Sequence, residues 1–106
     1  MLIIYTDMVD WDRVVGFEWD LGNARKSVDK HAVTQPEAEQ LFFNAPLLVV
    51  AYPMHSAVES RMHALGRTDD GRRLHVTFTL RSDASRIRVI SARDMSRKER
   101  AIYERE

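Results

Sequence analysis

The chain has 106 residues, 44% hydrophobic and 30% charged, a composition typical of one ordinary globular domain and not of a disordered segment. It contains no cysteine, which excludes disulfides, thiolate catalysis and cysteine-based zinc sites. The formal net charge is zero, yet residues 1–58 hold four Lys/Arg against eight Asp/Glu, and residues 59–106 hold twelve against eight. A basic face built by the second half would attract a polyanion, although chance and solvated surface charges explain the same asymmetry.

The N-terminal segment shows no targeting signal. Residues 1–5 are apolar but too few for the core of a signal peptide, and no stretch approaches the length of a membrane span. We therefore expect a cytoplasmic protein without membrane contact. We interpret residues 1–15 as an N-terminal extension, in which residues 2–5 could form a short edge strand, and residues 16–106 as a single domain.

A strand and a first helix follow this extension. Phe17 and Trp19 alternate with Glu18, which predicts a strand with two aromatic side chains on one face. Asp20 is a suitable N-cap for a helix that runs to about His31. The residues predicted to form the buried stripe of that helix are Leu21, Ala24, Val28 and His31.

A second helix and a buried strand come next. Thr34 and Glu37 have the spacing of a capping box, which predicts a helix that ends near Pro46. The continuous apolar run 47–52 predicts a short buried strand, and residues 53–57 a loop.

The second half of the chain has the pattern of an antiparallel meander that ends in a helix. Apolar and polar residues alternate in three predicted strands, 59–67, 74–80 and 86–92. Asp70-Gly71 and residues 82–85 supply the turns between them. Ser96 and Glu99 form another capping box, which predicts a C-terminal helix.

This order of elements predicts an α+β fold. We expect an antiparallel sheet of three to four main strands plus a short N-terminal strand, two N-terminal helices packed on one face, and a C-terminal helix. The opposite face of the sheet is then predicted to carry polar side chains, namely Arg61, His63, His75, Thr77, Thr79 and Arg88.

Arginine is the residue best suited to bind phosphate on such a face. Its guanidinium is always charged and presents a planar fork of donors that matches two phosphate oxygens. Arg61, Arg88 and Arg93 on adjacent strands could hold one phosphodiester and stabilise the charge that grows on it during cleavage. The other predicted substrate-binding residues are His75, Arg97 and Lys98.

RNA can be cleaved without a metal when its 2′-hydroxyl attacks the neighbouring phosphate. A base must take the hydroxyl proton, and an acid must supply one to the leaving oxygen. Together with Arg61 and Arg88, the candidate catalytic residues are Glu59, His63 and Tyr103. No grouping of His, Asp and Glu has metal-ligand spacing, so we expect no metal and no cofactor.

Each candidate also has a purely structural interpretation. Glu59 and Arg61 could form a surface ion pair, which contributes little to stability. His63 and His75 could be an ordinary solvated cross-strand pair, and Tyr103 could pack its helix onto the sheet. Arg93 could satisfy carbonyls at the end of its strand, and the position of Glu99 in a capping box favours a capping role over a catalytic one.

Several short motifs, in order, resemble the BrnT family, the ribonuclease toxins of type II toxin–antitoxin pairs, whose fold is similar to that of RelE. They are Phe17-Glu18-Trp19-Asp20, Lys30-His31-x-Val33, Glu37-Ala38, Glu59-x-Arg61, Gly66, Gly71-Arg72-x-Leu74, Phe78-Thr79, Arg88-x-Ile90-Ser91-Ala92-Arg93 and Lys98-Glu99-Arg100-x-x-Tyr103-Glu104. The chain departs from the family pattern at Asn23, Ser27 and Ala32, where Lys, Asn and Gly are common. These departures affect the ends of the first helix and not the basic junction.

The resemblance implies a ribosome-independent endoribonuclease that slows translation when free. It also implies a neutralising antitoxin, BrnA-like, in a complex of two toxins and two antitoxins, with operator DNA contacted only through the antitoxin. The alternative is a catalytically inactive binding module whose basic face only docks an acidic antitoxin segment. A DNA-binding domain is less well supported, because the sequence contains no helix-turn-helix pattern.

Overall fold

A computed structural model describes residues 3–4, 9–51 and 61–105. The strands are β1 (Ile3–Ile4), β2 (Gly16–Trp19), β3 (Leu48–Ala51), β4 (Met62–Arg67), β5 (Arg73–Arg81) and β6 (Arg86–Asp94). The helices are α1 (Leu21–His31), α2 (Gln35–Gln40) and α3 (Arg97–Tyr103), with 3-10 helices at Trp11–Arg13 and Leu41–Phe43. The predicted α+β class is confirmed, while the predicted loop 53–57 lies outside the described residues.

The strands form one mixed sheet in the order β1-β3-β4-β5-β6-β2. Neighbouring strands from β1 to β6 are antiparallel, as predicted. The prediction of a wholly antiparallel sheet is wrong at one edge, because β2 pairs with β6 in parallel. Alternation of Phe17 and Trp19 with Glu18 reveals a strand but not its direction, which the long crossover between β2 and β6 determines.

All three predicted helix caps are present. Asp20 accepts a hydrogen bond from the backbone N–H of Asn23 at 3.1 Å. Thr34 with Glu37, and Ser96 with Glu99, form complete capping boxes. These contacts satisfy backbone N–H groups that the first turn of a helix leaves without partners.

The first helix lies against the edge of the sheet. Beyond the end of β2, no strand among the described residues pairs with this edge of β6, and there the backbone N–H of Ala92 donates to the Oγ of Ser27 at 3.1 Å. Ser27 is the buried residue of α1, whereas Leu21 is 85% exposed and Val28 and His31 are exposed as well. The predicted buried stripe of α1 is therefore wrong: the helix turns a hydroxyl inward to satisfy a strand N–H.

Apolar side chains pack on both faces of the sheet. On one face Val33, Ala38 and Leu41 pack against residues of the central strands such as Phe78. Gly66 is required there, since a Cβ atom at this position would lie 2.6 Å from the Cγ of Leu41. On the other face α3 packs against a smaller cluster formed by Leu48, Val50, Leu65, Met95 and Tyr103.

The described residues of the predicted N-terminal extension contact the rest of the chain. β1 pairs with β3, and Trp11 and Val14 pack against the larger cluster. Val9 is buried as well. The described part of the predicted extension 1–15 is thus integrated with the domain 16–106.

Arg72 joins the end of α1 to β6. Its guanidinium donates to both carboxylate oxygens of Asp94 at 2.8 and 3.1 Å and to the carbonyls of His31 and Ala32 at 3.0 and 2.8 Å. Ala32 adopts the left-handed conformation, with φ of 53°, that glycine favours at a helix end. Arg72 thus satisfies carbonyls at a helix end that lacks its preferred glycine.

None of the described helices is long and apolar enough to cross a membrane.

Candidate functional site

The sheet face that carries α3 also carries the predicted polar side chains. Strand pairing aligns His63 with Thr77 and Ser91, and Leu65 with His75 and Arg93. It also aligns Thr79 with Arg88, and Arg88 with Glu18. Arg61 directly precedes β4, so the alternation of side chains places it on the same face, beside Thr79.

A β-bulge brings Arg88 and Arg93 to one face. In a regular strand, residues five positions apart point to opposite faces. Thr77 pairs with Ser91 and Phe78 with Val89, so Ile90 is an additional residue in β6. This extra residue reverses the alternation and gathers both arginines on the polar face. Arg88 and Arg93 were predicted to act together without knowledge of this bulge, and no glycine in β6 marks its position.

His63 lies half-buried at the centre of this face. Its Nδ1 is 3.1 Å from the Nε2 of His75 and 3.1 Å from the Oγ1 of Thr77. Burial lowers the pKa of His63, and the charges of Arg93 and Arg61 add to this effect while Glu99 opposes it. The imidazole is therefore mostly neutral at pH 7.

His75 lies deeper than His63. Only 6% of it is exposed, and its Nε2 is 3.8 Å from the Oε2 of Glu99. Burial lowers the pKa of His75 to about 4, with a further contribution from Arg93 against the opposing charge of Glu99. The ring is neutral and enclosed, which argues against the predicted direct contact between His75 and a substrate.

Glu99 holds Arg93 in a two-pronged ion pair. The Nη1 and Nη2 atoms of Arg93 donate to Oε1 and Oε2 of Glu99 at 2.8 and 2.9 Å, and the N–H of Ser96 donates to Oε1 at 2.8 Å. Burial by itself raises the pKa of Glu99, but these hydrogen bonds outweigh it and lower the pKa to about 2. The guanidinium of Arg93, which was predicted to bind phosphate, is therefore bound to a carboxylate of the protein itself, because the capping residue Glu99 faces it.

Arg88 and Arg61 are the arginines of this face that are more available to a ligand. The side chain of Arg88 is 29% exposed, and its Nη2 lies 3.8 Å from the Oδ2 of Asp20, a long ion pair. Arg61 is exposed. Arg97 and Lys98 are exposed in the first turn of α3.

Tyr103 has a structural role. It is buried against Leu48 and Leu65, and its hydroxyl donates to the carbonyl of Pro46 at 2.7 Å. Burial raises the pKa of the phenol. The structural interpretation of this residue therefore accounts for it better than the predicted catalytic one. Glu59, the other predicted proton carrier, lies outside the described residues.

Two partners within this face were not predicted from the sequence. Thr77, named only as a polar strand residue, lies within hydrogen-bond distance of His63. Glu99, treated as a cap, links Arg93 to His75. Strand alternation indicated that Thr77 shares a face with His63. Nothing in the sequence shows that the capping residue Glu99 also faces His75. Within the described ranges no group of three or more His, Asp or Glu side chains could hold a metal ion.

The opposite face of the sheet offers a different surface. An apolar cleft of about 760 Å³ lies at the β2 edge and is lined by side chains that include Trp11, Phe17, Phe42 and Phe43. Its lining residues carry no ionised groups suited to phosphate, so the candidate site remains on the polar face.

Comparison with known proteins identifies the same family that the sequence motifs resemble. Residues 19–99 match the family described as ribonuclease toxin, BrnT, of type II toxin-antitoxin system. The fold is similar to the crystal structure, at 1.1 Å resolution, of the Brucella abortus ribonuclease toxin BrnT, with a TM-score of 0.58, 20% identity, and coverage of 79% of this chain and 100% of that chain. No match was found among curated proteins. Since the family match spans most of the chain, the chain belongs to the BrnT family of ribonuclease toxins of type II toxin–antitoxin systems.

Proposed function

We propose that this chain is a metal-independent endoribonuclease that cleaves RNA through attack of a 2′-hydroxyl on the neighbouring phosphorus. The observation that carries the proposal is the strand register, which places Arg61 and Arg88 on the same sheet face as a neutral, half-buried His63. Membership of a ribonuclease toxin family supports the reaction class.

The spacing of these side chains suits a nucleic-acid backbone. Arg61 directly precedes β4 and lies two residues before His63, which is about 7 Å in an extended backbone. Arg88 lies two strands away from His63, across β5, a distance of roughly 10 Å between backbones. Long arginine side chains reach across such distances, so the two guanidinium groups can converge on one phosphodiester beside His63.

In the proposed reaction the RNA supplies its own nucleophile, and the protein mainly stabilises the negative charge that develops on the phosphoryl oxygens. The 2′-oxygen bonds to phosphorus as the bond from phosphorus to the 5′-oxygen breaks, leaving a 2′,3′-cyclic phosphate and a 5′-hydroxyl. The guanidinium groups of Arg61 and Arg88 stabilise the negative charge on the phosphoryl oxygens in the transition state. From the sequence, Glu59 is the carboxylate proposed to take the 2′-hydroxyl proton, and water returns a proton to the 5′-oxygen.

The remaining predicted residues divide by their position. Arg97 and Lys98 are exposed, and we assign them to the RNA backbone on either side of the cleaved bond. Arg93 and His75 face other protein groups, so their contribution to RNA binding is indirect.

Membership of a type II toxin family implies an antitoxin partner. We propose that a BrnA-like antitoxin neutralises this chain in an assembly of two toxins and two antitoxins, and that operator DNA is contacted by the antitoxin. Free toxin would then slow translation by cutting messenger RNA without the ribosome.

Arg88→Ala tests the proposal. Loss of one charge-stabilising donor lowers the cleavage rate by about 10²–10³. Cleavage of a labelled RNA by the purified variant measures this, with circular dichroism to verify the fold. Arg25→Ala is the matched control, because it removes one exposed positive charge from α1. Equal cleavage by the wild type and Arg88→Ala would remove Arg88 from the site.

One observation favours the alternative, a binding module without activity. Arg93 is paired with Glu99, and the hydroxyl of Tyr103 donates to Pro46, so two predicted site residues are occupied within the protein. Under this alternative the wild type cuts no RNA, and Arg88→Ala lowers only the affinity for the antitoxin.

A further inference from the structure

We propose that a chain of side chains, Arg93–Glu99–His75, fixes the tautomer of His63 so that Nε2 carries its proton and His63 acts as a hydrogen-bond donor, not as a general base. This inference deepens the proposed function, and it rests on that function for its catalytic consequence. The tautomer itself is a property of the protein alone.

The first link is the anchor of Glu99. Its carboxylate receives two hydrogen bonds from Arg93 and one from the N–H of Ser96, all between 2.8 and 2.9 Å. The side chain is only 10% exposed. Glu99 is therefore an ionised acceptor held in one orientation, and its low pKa of about 2 agrees with that geometry.

The second link fixes the proton on His75. Its Nε2 faces Oε2 of Glu99 at 3.8 Å and Nδ1 of His63 at 3.1 Å. A proton on Nε2 points toward both acceptors, whereas a lone pair there would face a carboxylate. The other nitrogen, Nδ1, is buried without a hydrogen-bond partner in either tautomer, so the contacts at Nε2 decide where the proton lies. His75 is therefore the Nε2–H tautomer.

The third link passes this constraint to His63. Two N–H groups cannot face each other at 3.1 Å, so Nδ1 of His63 must carry the lone pair that accepts from His75. The hydroxyl of Thr77, also 3.1 Å from Nδ1, is a second group able to donate to it. A neutral His63 consequently has its proton on Nε2, and a contact that it makes through Nε2 is that of a donor.

The catalytic consequence is that His63 donates a hydrogen bond, while another group must act as the base. A histidine that acts as a base through Nε2 must hold a lone pair there, and its Nδ1 then carries the proton. That arrangement would oppose the N–H of His75. His63 instead donates to a phosphoryl oxygen together with Arg61 and Arg88, which is the role of a preorganised donor.

The direct test is the nitrogen NMR spectrum of the imidazole rings at pH 7, in the protein without RNA. We expect His63 and His75 both to show a protonated Nε2 and an unprotonated Nδ1. Thr77→Val should leave the His63 tautomer unchanged, because His75 still donates. Glu99→Gln, which retains a capping side chain, should shift His75 and His63 toward a mixture of tautomers. A proton on Nδ1 of His63 in the wild type would overturn the inference.

Cleavage assays supply the second readout. The side-chain amide of glutamine places an N–H near the position of Nε2, so it can replace a donor but not a base. We expect His63→Ala to lower the cleavage rate by about 10²–10³ and His63→Gln to restore at least about tenfold of that loss. Equal loss in both variants, with both folded, would identify His63 as a base and contradict the inference. Absence of cleavage in the wild type would refute the proposed function while the NMR result still decides the tautomer.

Discussion

At the scale of single residues, the polar face depends on histidines that burial keeps neutral. The pKa of His75 is about 4 because the ring is buried and lies beside Arg93 and His63, although the negative charge of Glu99 opposes this shift. Strand alternation predicted that His63 and His75 share a face. It could not predict that one ring is enclosed, since enclosure depends on where α3 packs.

This burial makes the fold sensitive to acid. The unfolded chain takes up a proton on residue 75 near pH 6.5, whereas the native state does so only near pH 4. The free energy of unfolding therefore falls as the pH drops through this window, by on the order of 3 kcal/mol from His75 alone. Glu99, with its pKa lowered to about 2, extends the loss of stability below pH 4.5.

Urea unfolding between about pH 7 and pH 4 measures this dependence. His75→Gln should flatten it, because the titrating group is gone, even where the variant is less stable at pH 7. His31→Gln is the control, since His31 is exposed at the end of α1. An unchanged slope in His75→Gln would show that another group causes the acid sensitivity.

At the scale of elements, the least expected feature is the contact between α1 and the edge of β6. Helical periodicity favoured Leu21, Ala24 and Val28 as the buried stripe, yet the buried residue is Ser27. A strand edge left uncovered by the short β2 has N–H groups that need acceptors, and a sequence pattern does not show such a need. The same limit applies to the bulge at Ile90, which is visible only through the strand pairing.

Ser27→Ala tests the role of this contact. Removing the hydroxyl leaves the buried N–H of Ala92 without its partner, which costs about 1–3 kcal/mol of unfolding free energy. Chemical denaturation measures the loss. The control is Ser96→Asp, which keeps an N-cap acceptor at α3 and should change stability little. A loss below about 0.5 kcal/mol in Ser27→Ala would show that water satisfies Ala92 equally well.

At the scale of the whole molecule, the sheet separates two surfaces. One face is largely covered by α2 and the apolar side chains around Phe78, and the other is only partly covered by α3. The part of the second face that no described helix covers presents Arg61 and Arg88 on the same face as His63. A chain with no net charge can thus offer a locally basic surface, because some of its acidic side chains form contacts elsewhere, as Asp94 and Glu37 do with Arg72.

Much of this organisation was predictable from the sequence. Capping residues marked the helix starts, and alternation placed Arg61, His63 and Arg88 on one face, because these signals are local. The parallel pairing of β2, the pairing of Arg93 with Glu99 and the burial of Tyr103 were not predictable. They depend on contacts between residues that are distant in the chain, or, for Arg93, on whether the guanidinium binds a carboxylate of the protein or a phosphate of the substrate.

The most direct test of the central claim is incubation of the purified chain with a 5′-labelled RNA in excess EDTA, followed by analysis of the fragment ends. We expect cleavage that leaves 2′,3′-cyclic phosphate and 5′-hydroxyl ends, since the 2′-hydroxyl is the nucleophile and Arg61 and Arg88 supply the charge stabilisation. Cleavage that requires added Mg²⁺, or that leaves 3′-hydroxyl ends, would contradict the mechanism. Intact RNA under all conditions would contradict the assignment of ribonuclease activity to this chain.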